Sequence, residues 1–294
     1  MNQTYTSDFE AIGTVWHLAF EGPPGIDGDA CIAAIRARID EFDKAYSRFR
    51  ADSLVTSMSK SPGTYELPAD ANPLMTIYSD LYRHTRGLFT PLIGQTLVDA
   101  GYDASYSLLP KTLQQPPTLE SVMSYDSPYL TLFKPALLDF GAAGKGYLVD
   151  IVLELIRTAG ASSALVDAGG DIAIYSADSA PVQIGLEDPN NTSQAIGIAS
   201  ISNASICGSA GNRRAWDRFH HIIDPVTLSS PQDVLATWVV ARTTLLADAL
   251  ATCLYFVDPA LLQAHYTFEY AILRPDYSLE RSPDFPAEFF LSPA

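Results

Sequence analysis

The sequence predicts an α+β protein in which mixed or antiparallel sheets pack against helices. Three observations carry this. Stretches with helical spacing and short apolar runs of strand type both occur along the 294 residues. They are mixed without strict alternation, which disfavours a doubly wound parallel sheet. The apolar fraction, 47%, gives a chain of this length a sizeable core.

Taken in order, Phe9 to Phe20 mixes aromatic and β-favouring residues and is expected to form a strand. Gly22-Pro23-Pro24-Gly25 ends it. Asp27 caps a helix whose apolar positions Ile32, Ile35, Ile39 and Phe42 follow helical spacing. Ser61-Pro62-Gly63 is a turn, and Pro73 suits the first turn of a helix from Pro73 to Arg86. Asp99 to Lys134, rich in Pro, Ser and Tyr, is expected to be irregular. A small-residue turn from Asp139 to Gly146 leads into a helix from Tyr147 to Ala159. Ser163–Val166 and Ile172–Tyr175 are strands joined through Asp167-Ala168-Gly169-Gly170-Asp171. Further strands are expected at Val182–Leu186, Ala195–Ile201, His221–Ile223 and Leu235–Ala241. Leu245 to Phe256 is a buried helix, and Tyr270–Leu273 the last strand. The chain is expected to form a single domain, 1–294, of one body or two intimate lobes.

Composition excludes several classes. The net charge is −16 and no run of Lys and Arg offers a basic face, so nucleic acid is not an expected partner. No stretch approaches the roughly 20 apolar residues of a membrane span. The first ten residues lack the basic start and apolar run of a signal peptide. Cys31, Cys207 and Cys253 are odd in number and widely spaced, which argues against disulfides or zinc. The expected location is the cytoplasm.

Four clusters could carry chemistry. Asp139-Phe140-Gly141-Ala142-Ala143-Gly144-Lys145-Gly146 precedes a helix, so it reads equally as a tight turn or as a phosphate cradle with Lys145 as cation. It fails the P-loop pattern, with Asp139 at the first Gly and Gly146 at the hydroxyl position. Asp167 to Asp171 alone reads as a turn. His221, followed by Ile222-Ile223-Asp224-Pro225, is an imidazole in a defined context and a candidate general base. Asp248 and Thr252 stand four apart, on one helix face, as a hard-oxygen pair suited to Mg²⁺. Asp248 could equally cap that helix.

In this order, DFGAAGKGYLVD (139–150), DAGGDI (167–172), HIIDP (221–225) and ADALAT (247–252) resemble the FAD:protein FMN transferases, the ApbE-like family. Ala11-Ile12-Gly13-Thr14, Tyr46-Ser47-Arg48-Phe49 with Asp52-Ser53, and Gly87-Leu88-Phe89-Thr90-Pro91 add to the resemblance, which runs from Phe9 to Val257. It implies a T-fold-like, two-lobed architecture. It also implies a Mg²⁺-dependent enzyme that moves the FMN half of FAD onto a Thr or Ser of an acceptor protein and releases AMP.

By position, the resemblance makes Asp248 and Thr252 side-chain metal ligands, with the carbonyls of Ala142 and Ala251. It places FAD contacts at Ile12, Phe49, Leu88, Phe89, Thr90, Asp139, Lys145 and Ile222, and the general base at His221. The chain departs from the family in three places. Ile12 stands where Met is usual, and Thr90 stands where Asp is usual. Thr227-Leu228-Ser229-Ser230-Pro231 lacks the glycine of Thr-Gly-x-Pro. Two other activities stay open: hydrolysis of FAD to FMN and AMP, and FAD binding without catalysis. Retention of His221, Asp248 and Thr252 favours catalysis.

Overall fold

A computed structural model describes residues 2–290. They divide into two compact units. The first comprises the chain up to Ile39, Lys145–Arg213, and the chain from Gln232 on. The second comprises Asp40–Gly144 and Arg214–Pro231.

The first unit is built on an eight-stranded sheet. Its order is Gln3–Ala11, Thr14–Gly22, Ser163–Ala168, Asp171–Ser176, Ser205–Ala210, Ala236–Ala241, Glu269–Leu273, Leu279–Arg281, and each pairing is antiparallel. The first two strands correct the expectation of one strand over Phe9–Phe20. Ile12 and Gly13, with φ of 45° and 75°, form a two-residue tip that turns the chain back and sets Ala11 opposite Thr14. Positive φ at both positions matches the twist of a hairpin, but Ile-Gly is not one of its usual signals.

A smaller sheet, Val182–Asp188, Asn191–Ile201 and Ala287–Phe289, covers part of the large one. Leu186, Ile196, Ile201 and Phe285 bury against Ile174, Ile206, Trp238 and Leu273 in one core cluster. The helix Thr244–Cys253 packs on the strands Ser205–Ala210 and Ala236–Ala241. Two short strands, Leu279–Arg281 and Ala287–Phe289, follow the strand that was expected to be last.

The second unit buries Leu74, Met75, Tyr78 and Leu81 on one face of the helix Ala71–His84. The segment expected to be irregular over Asp99–Lys134 is so only in part. Leu119–Val122 is a helical turn, and Met123–Asp126 and Tyr129–Leu132 form a hairpin that pairs with Gly63–Glu66. The strand expected at His221–Ile223 is instead Phe219–His220, paired with Ala215–Trp216. In this antiparallel register His220 faces Ala215, where the partner strand begins, so the ladder closes before His221. A second apolar cluster joins Leu97, Ala100, Tyr102, Trp216, Phe219 and Ile223, with Phe49 packed against it.

Candidate functional site

In the first unit, three of the sequence clusters meet. The helix Gly144–Thr158 approaches the helix Thr244–Cys253 so closely that a Cβ on Gly146 would lie 2.4 Å from the Thr244 carbonyl and 2.6 Å from Asp248 Cβ. Glycine at 146 lets its own N–H donate to Asp248 Oδ2 at 2.8 Å. The departure from the P-loop pattern thus has a packing cause.

Lys145 donates to the Ala168 carbonyl at 2.9 Å and ion-pairs with Asp171. Asp171 is 1% exposed and Asp248 6%. Burial pulls the Lys145 ammonium down in pKa, but the charges of Asp171 and Asp248 outweigh this and the net shift is upward. Burial, and then Asp171, push the Asp248 carboxyl well above the carboxylate range; Lys145 and the Gly146 N–H oppose them. Two buried acids therefore share one ammonium. The hairpin Asp167–Asp171 holds this arrangement. Gly169 and Gly170 have φ of 66° and 98°, and Gly170 N–H donates to Asp167 Oδ1 at 2.8 Å. A Cβ on Gly169 would meet Thr14 Oγ1 at 2.0 Å, so the hairpin and the Ile12–Thr14 tip lie against each other.

Asp248 does not cap its helix. Thr243 accepts from Leu246 N–H, and Asp150 accepts from Thr244 N–H and Leu245 N–H, each of these two at 2.8 Å. Thr252 follows Asp248 by one turn and is half-buried. The buried Thr237 hydroxyl donates to the Ala251 carbonyl at 2.8 Å, which leaves that oxygen one lone pair.

These donors fit Mg²⁺. Excess buried negative charge with hard oxygens is what a divalent cation relieves. Among the described residues, no group of three His, Cys, Asp or Glu converges as zinc would require. The three cysteines are free and buried.

The second unit gathers the other candidates. Arg48, whose side chain is 2% exposed, ion-pairs through Nε with Asp139 and donates through Nη1 to the Tyr102 carbonyl at 2.7 Å. Asp139 also accepts from Gly141 N–H at 2.7 Å, and its own N–H donates to the Pro91 carbonyl at 2.8 Å. That bond joins the loop of Ala142 to the loop of Leu88, Phe89 and Thr90. Thr90 caps the turn Pro91–Ile93, its hydroxyl accepting from Leu92 N–H at 3.2 Å. Phe89 and Ile222 are buried side chains, so they can offer a ligand only backbone atoms.

His220 is pinned on both ring nitrogens. Nδ1 accepts from Ile222 N–H at 3.3 Å, so Nε2 carries the proton toward the Pro231 carbonyl at 3.0 Å. Burial lowers its pKa, with the Pro231 contact opposing. His221 follows, half-buried, with its N–H on the Arg214 carbonyl at 3.2 Å.

Sequence reasoning assigned no role to Arg48, Asp150 or Asp171. All three sit within quoted motifs, and the two acids of DAGGD were the available signal for Asp171. The resemblance-implied residues are divided between the units. Ile12, Lys145, Asp248, Ala251 and Thr252 belong to the first, and Phe49, Leu88, Phe89, Thr90, Asp139, Ala142, His221 and Ile222 to the second.

The sequence profile of the ApbE family matches residues 12–269. A relative from Treponema pallidum (strain Nichols), named FAD:protein FMN transferase, is 26% identical over 275 residues, covering 83% of this chain and 76% of its own. Another of that name, from Klebsiella pneumoniae (strain 342), is 23% identical over 278 residues, covering 87% and 79%. The solved ApbE protein of Thermotoga maritima has the same fold, with a TM-score of 0.84 at 21% identity over 97% of this chain and 100% of that one. The flavin transferase ApbE from Vibrio cholerae matches with a TM-score of 0.78 at 19% identity, over 97% and 99%.

Proposed function

This chain belongs to the ApbE family and is a transferase, and from that premise we propose that it moves the FMN half of FAD to a Thr or Ser hydroxyl of an acceptor protein and releases AMP. One observation carries the reading: Lys145, Asp171 and Asp248 converge around Gly146, on the helix that begins at the motif quoted for flavin transfer.

Asp248 and Thr252, with the Ala251 carbonyl, would hold Mg²⁺, which when bound offsets charge on the pyrophosphate. The remaining work falls to the chain's own groups. Lys145 keeps Asp171 and Asp248 together in their buried setting. Arg48 fixes Asp139 and, through it, the loops of Ala142 and Thr90. His221 takes the proton of the acceptor hydroxyl. The hydroxyl oxygen then bonds to the FMN-side phosphorus, the bond from that phosphorus to the bridging oxygen breaks, and AMP leaves with that oxygen. A neutral imidazole suits this step near neutral pH.

The placement in the cytoplasm belongs to the same proposal and rests on the three buried thiols. Among the described residues, no helix is long and apolar enough to cross a membrane.

The test is incubation of the purified chain with FAD, Mg²⁺ and a flavoprotein carrying an acceptor Thr or Ser. Covalent flavin on that acceptor, seen as fluorescence in a denaturing gel, with matching AMP, supports transfer. AMP at an undiminished rate without acceptor would make the chain a hydrolase, and FAD binding with no AMP in any mixture would make it a binding protein.

A further inference from the structure

The first unit carries a cavity of 280 Å³ that the reading above does not use. Asp150, Leu153 and Arg157 line it from one face of the helix Gly144–Thr158. Tyr175, Asn203 and Ser205 line it from the sheet, and Arg242 from just before the helix Thr244–Cys253. Arg157 lies about 18 Å along the helix axis from Lys145. The arginine end of the cavity is therefore remote from the cluster around Gly146.

Most polar groups of the lining are already committed. Asp150 accepts from Thr244 N–H through one oxygen and from Leu245 N–H through the other. Asn203 accepts from Ser176 N–H at 2.7 Å and donates to the Ser176 carbonyl and to Ser179 Oγ, each at 3.0 Å. Ser205 Oγ shares a hydrogen bond of 2.8 Å with Thr244 Oγ1. The first N–H groups of the helix Thr244–Cys253 are taken by Asp150 and Thr243, so that helix end offers no anion site of its own.

The two arginines are not committed in this way. The Arg157 guanidinium lies over the Tyr175 ring, 4.7 Å from its centroid, which supports one face and leaves the N–H edge to other partners. Its ion pair with Glu154, at 3.5 Å, joins two exposed side chains and contributes little. Arg242 is exposed, and among the described residues no hydrogen bond or ion pair engages it. The chain has 34 Asp and Glu against 18 Lys and Arg, so carboxylates are plentiful. Even so, two guanidiniums share this cavity with a single carboxylate, and that one is turned to the backbone. Like charges gathered in one cavity repel, and an anion between them relieves the repulsion.

We propose that this cavity binds a small molecule through a doubly charged oxyanion group, a phosphate monoester or a dicarboxylate, held between Arg157 and Arg242. The guanidinium fork matches either group bidentately, and the cavity has room for the carbon skeleton that carries the charge. The inference stands on the first unit alone and is independent of the FAD reading.

The experiment titrates the full chain with inorganic phosphate, glycerol phosphate and succinate by calorimetry at fixed ionic strength, with sodium chloride as the control for screening. Wild type is compared with Arg157→Gln, Arg242→Gln, Arg157→Lys and the double glutamine variant. Melting curves without added anion establish that each variant is folded, and fluorescence quenching follows FAD affinity. Each single glutamine substitution is expected to weaken the tightest probe by about 10- to 100-fold, the loss that charge-assisted hydrogen bonds carry. The double substitution removes binding, and FAD affinity stays at the wild-type value. Arg157→Lys gives an intermediate loss, because it keeps the charge without the fork. Tighter binding of succinate assigns the cavity to dicarboxylates, and tighter binding of the phosphates assigns it to phosphate monoesters. No heat from any of the three probes in wild type overturns the proposal, as does chloride acting equally well. Anion binding that survives the double substitution overturns it too, since the anion then sits elsewhere. So does an equal loss of FAD affinity, which would move the anion to the nucleotide site.

Discussion

Adjacent histidines here do different work. His221 sits beside a residue held at both ring nitrogens, so its backbone is placed before any ligand arrives. Replacing His221 by Ala is expected to leave FAD affinity near wild type and slow transfer by roughly 10²- to 10⁴-fold. Wild-type rates in that variant would remove His221 from the base role. His220 is not a neutral position for substitution. His220→Ala leaves the Ile222 N–H and the Pro231 carbonyl without their ring partners, and is expected to cost about 1–3 kcal/mol of stability. Urea unfolding that matches wild type would contradict this. The Asp248/Thr252 pair was legible because helical spacing alone puts both on one face. Asp171 was not, because Lys145 and Asp248, its partners, lie far from it in sequence, and a carboxylate beside two glycines reads first as a turn.

The contact between the helices Gly144–Thr158 and Thr244–Cys253 depends on the missing side chain at 146. Gly146→Ala is expected to push them apart, to cost about 1–3 kcal/mol by overpacking, and to break the N–H bond to Asp248. Mg²⁺ titration followed by urea unfolding checks both effects, and a variant with wild-type stability and metal response would show that the helices accommodate the methyl. The Asp150 cap is a second test of the same junction. Asp150→Ala is expected to cost about 0.5–2 kcal/mol through two lost N–H partners of the second helix, and an unchanged urea midpoint would argue against it. Both helices were legible from apolar spacing to within a few residues. The strand Ser205–Ala210 was not, although it sits inside the large sheet, because Ser-Ile-Cys-Gly-Ser-Ala carries little β propensity. The Ile12–Gly13 hairpin was missed for a different reason: its turn lacks Asn or Asp, and tertiary pairing imposes the left-handed backbone on a β-branched residue.

Across the molecule, the proposed Mg²⁺ site would couple pH and metal through Asp248. Its folded-state pKa is raised, so the proton it retains contributes stability that is fully present below the unfolded value of about 3.9 and is lost as pH rises through the folded value. Mg²⁺ that binds only the folded chain would return that stability, by about 2.7 kcal/mol at a hundred times its dissociation constant. The rise in melting temperature on adding Mg²⁺ is therefore expected to grow as pH rises, and to vanish in Asp248→Asn. An equal rise at every pH, or one that survives the substitution, would sever this link. The division of the chain has a further consequence, in the order of synthesis. The second unit enters as two separate segments, and Thr14–Gly22 pairs with Ser163–Ala168 across the longer of them. The strand Ala236–Ala241 joins later still, and Leu279–Arg281 completes the edge. At roughly 5–20 residues per second, the opening hairpin waits about 7 to 30 seconds on the ribosome for its first long-range partner. During that wait Leu18 and Phe20, which the finished sheet buries, stand without their cover. A nascent chain stalled before Ser163 should therefore be more open to protease in its first forty residues than the released protein.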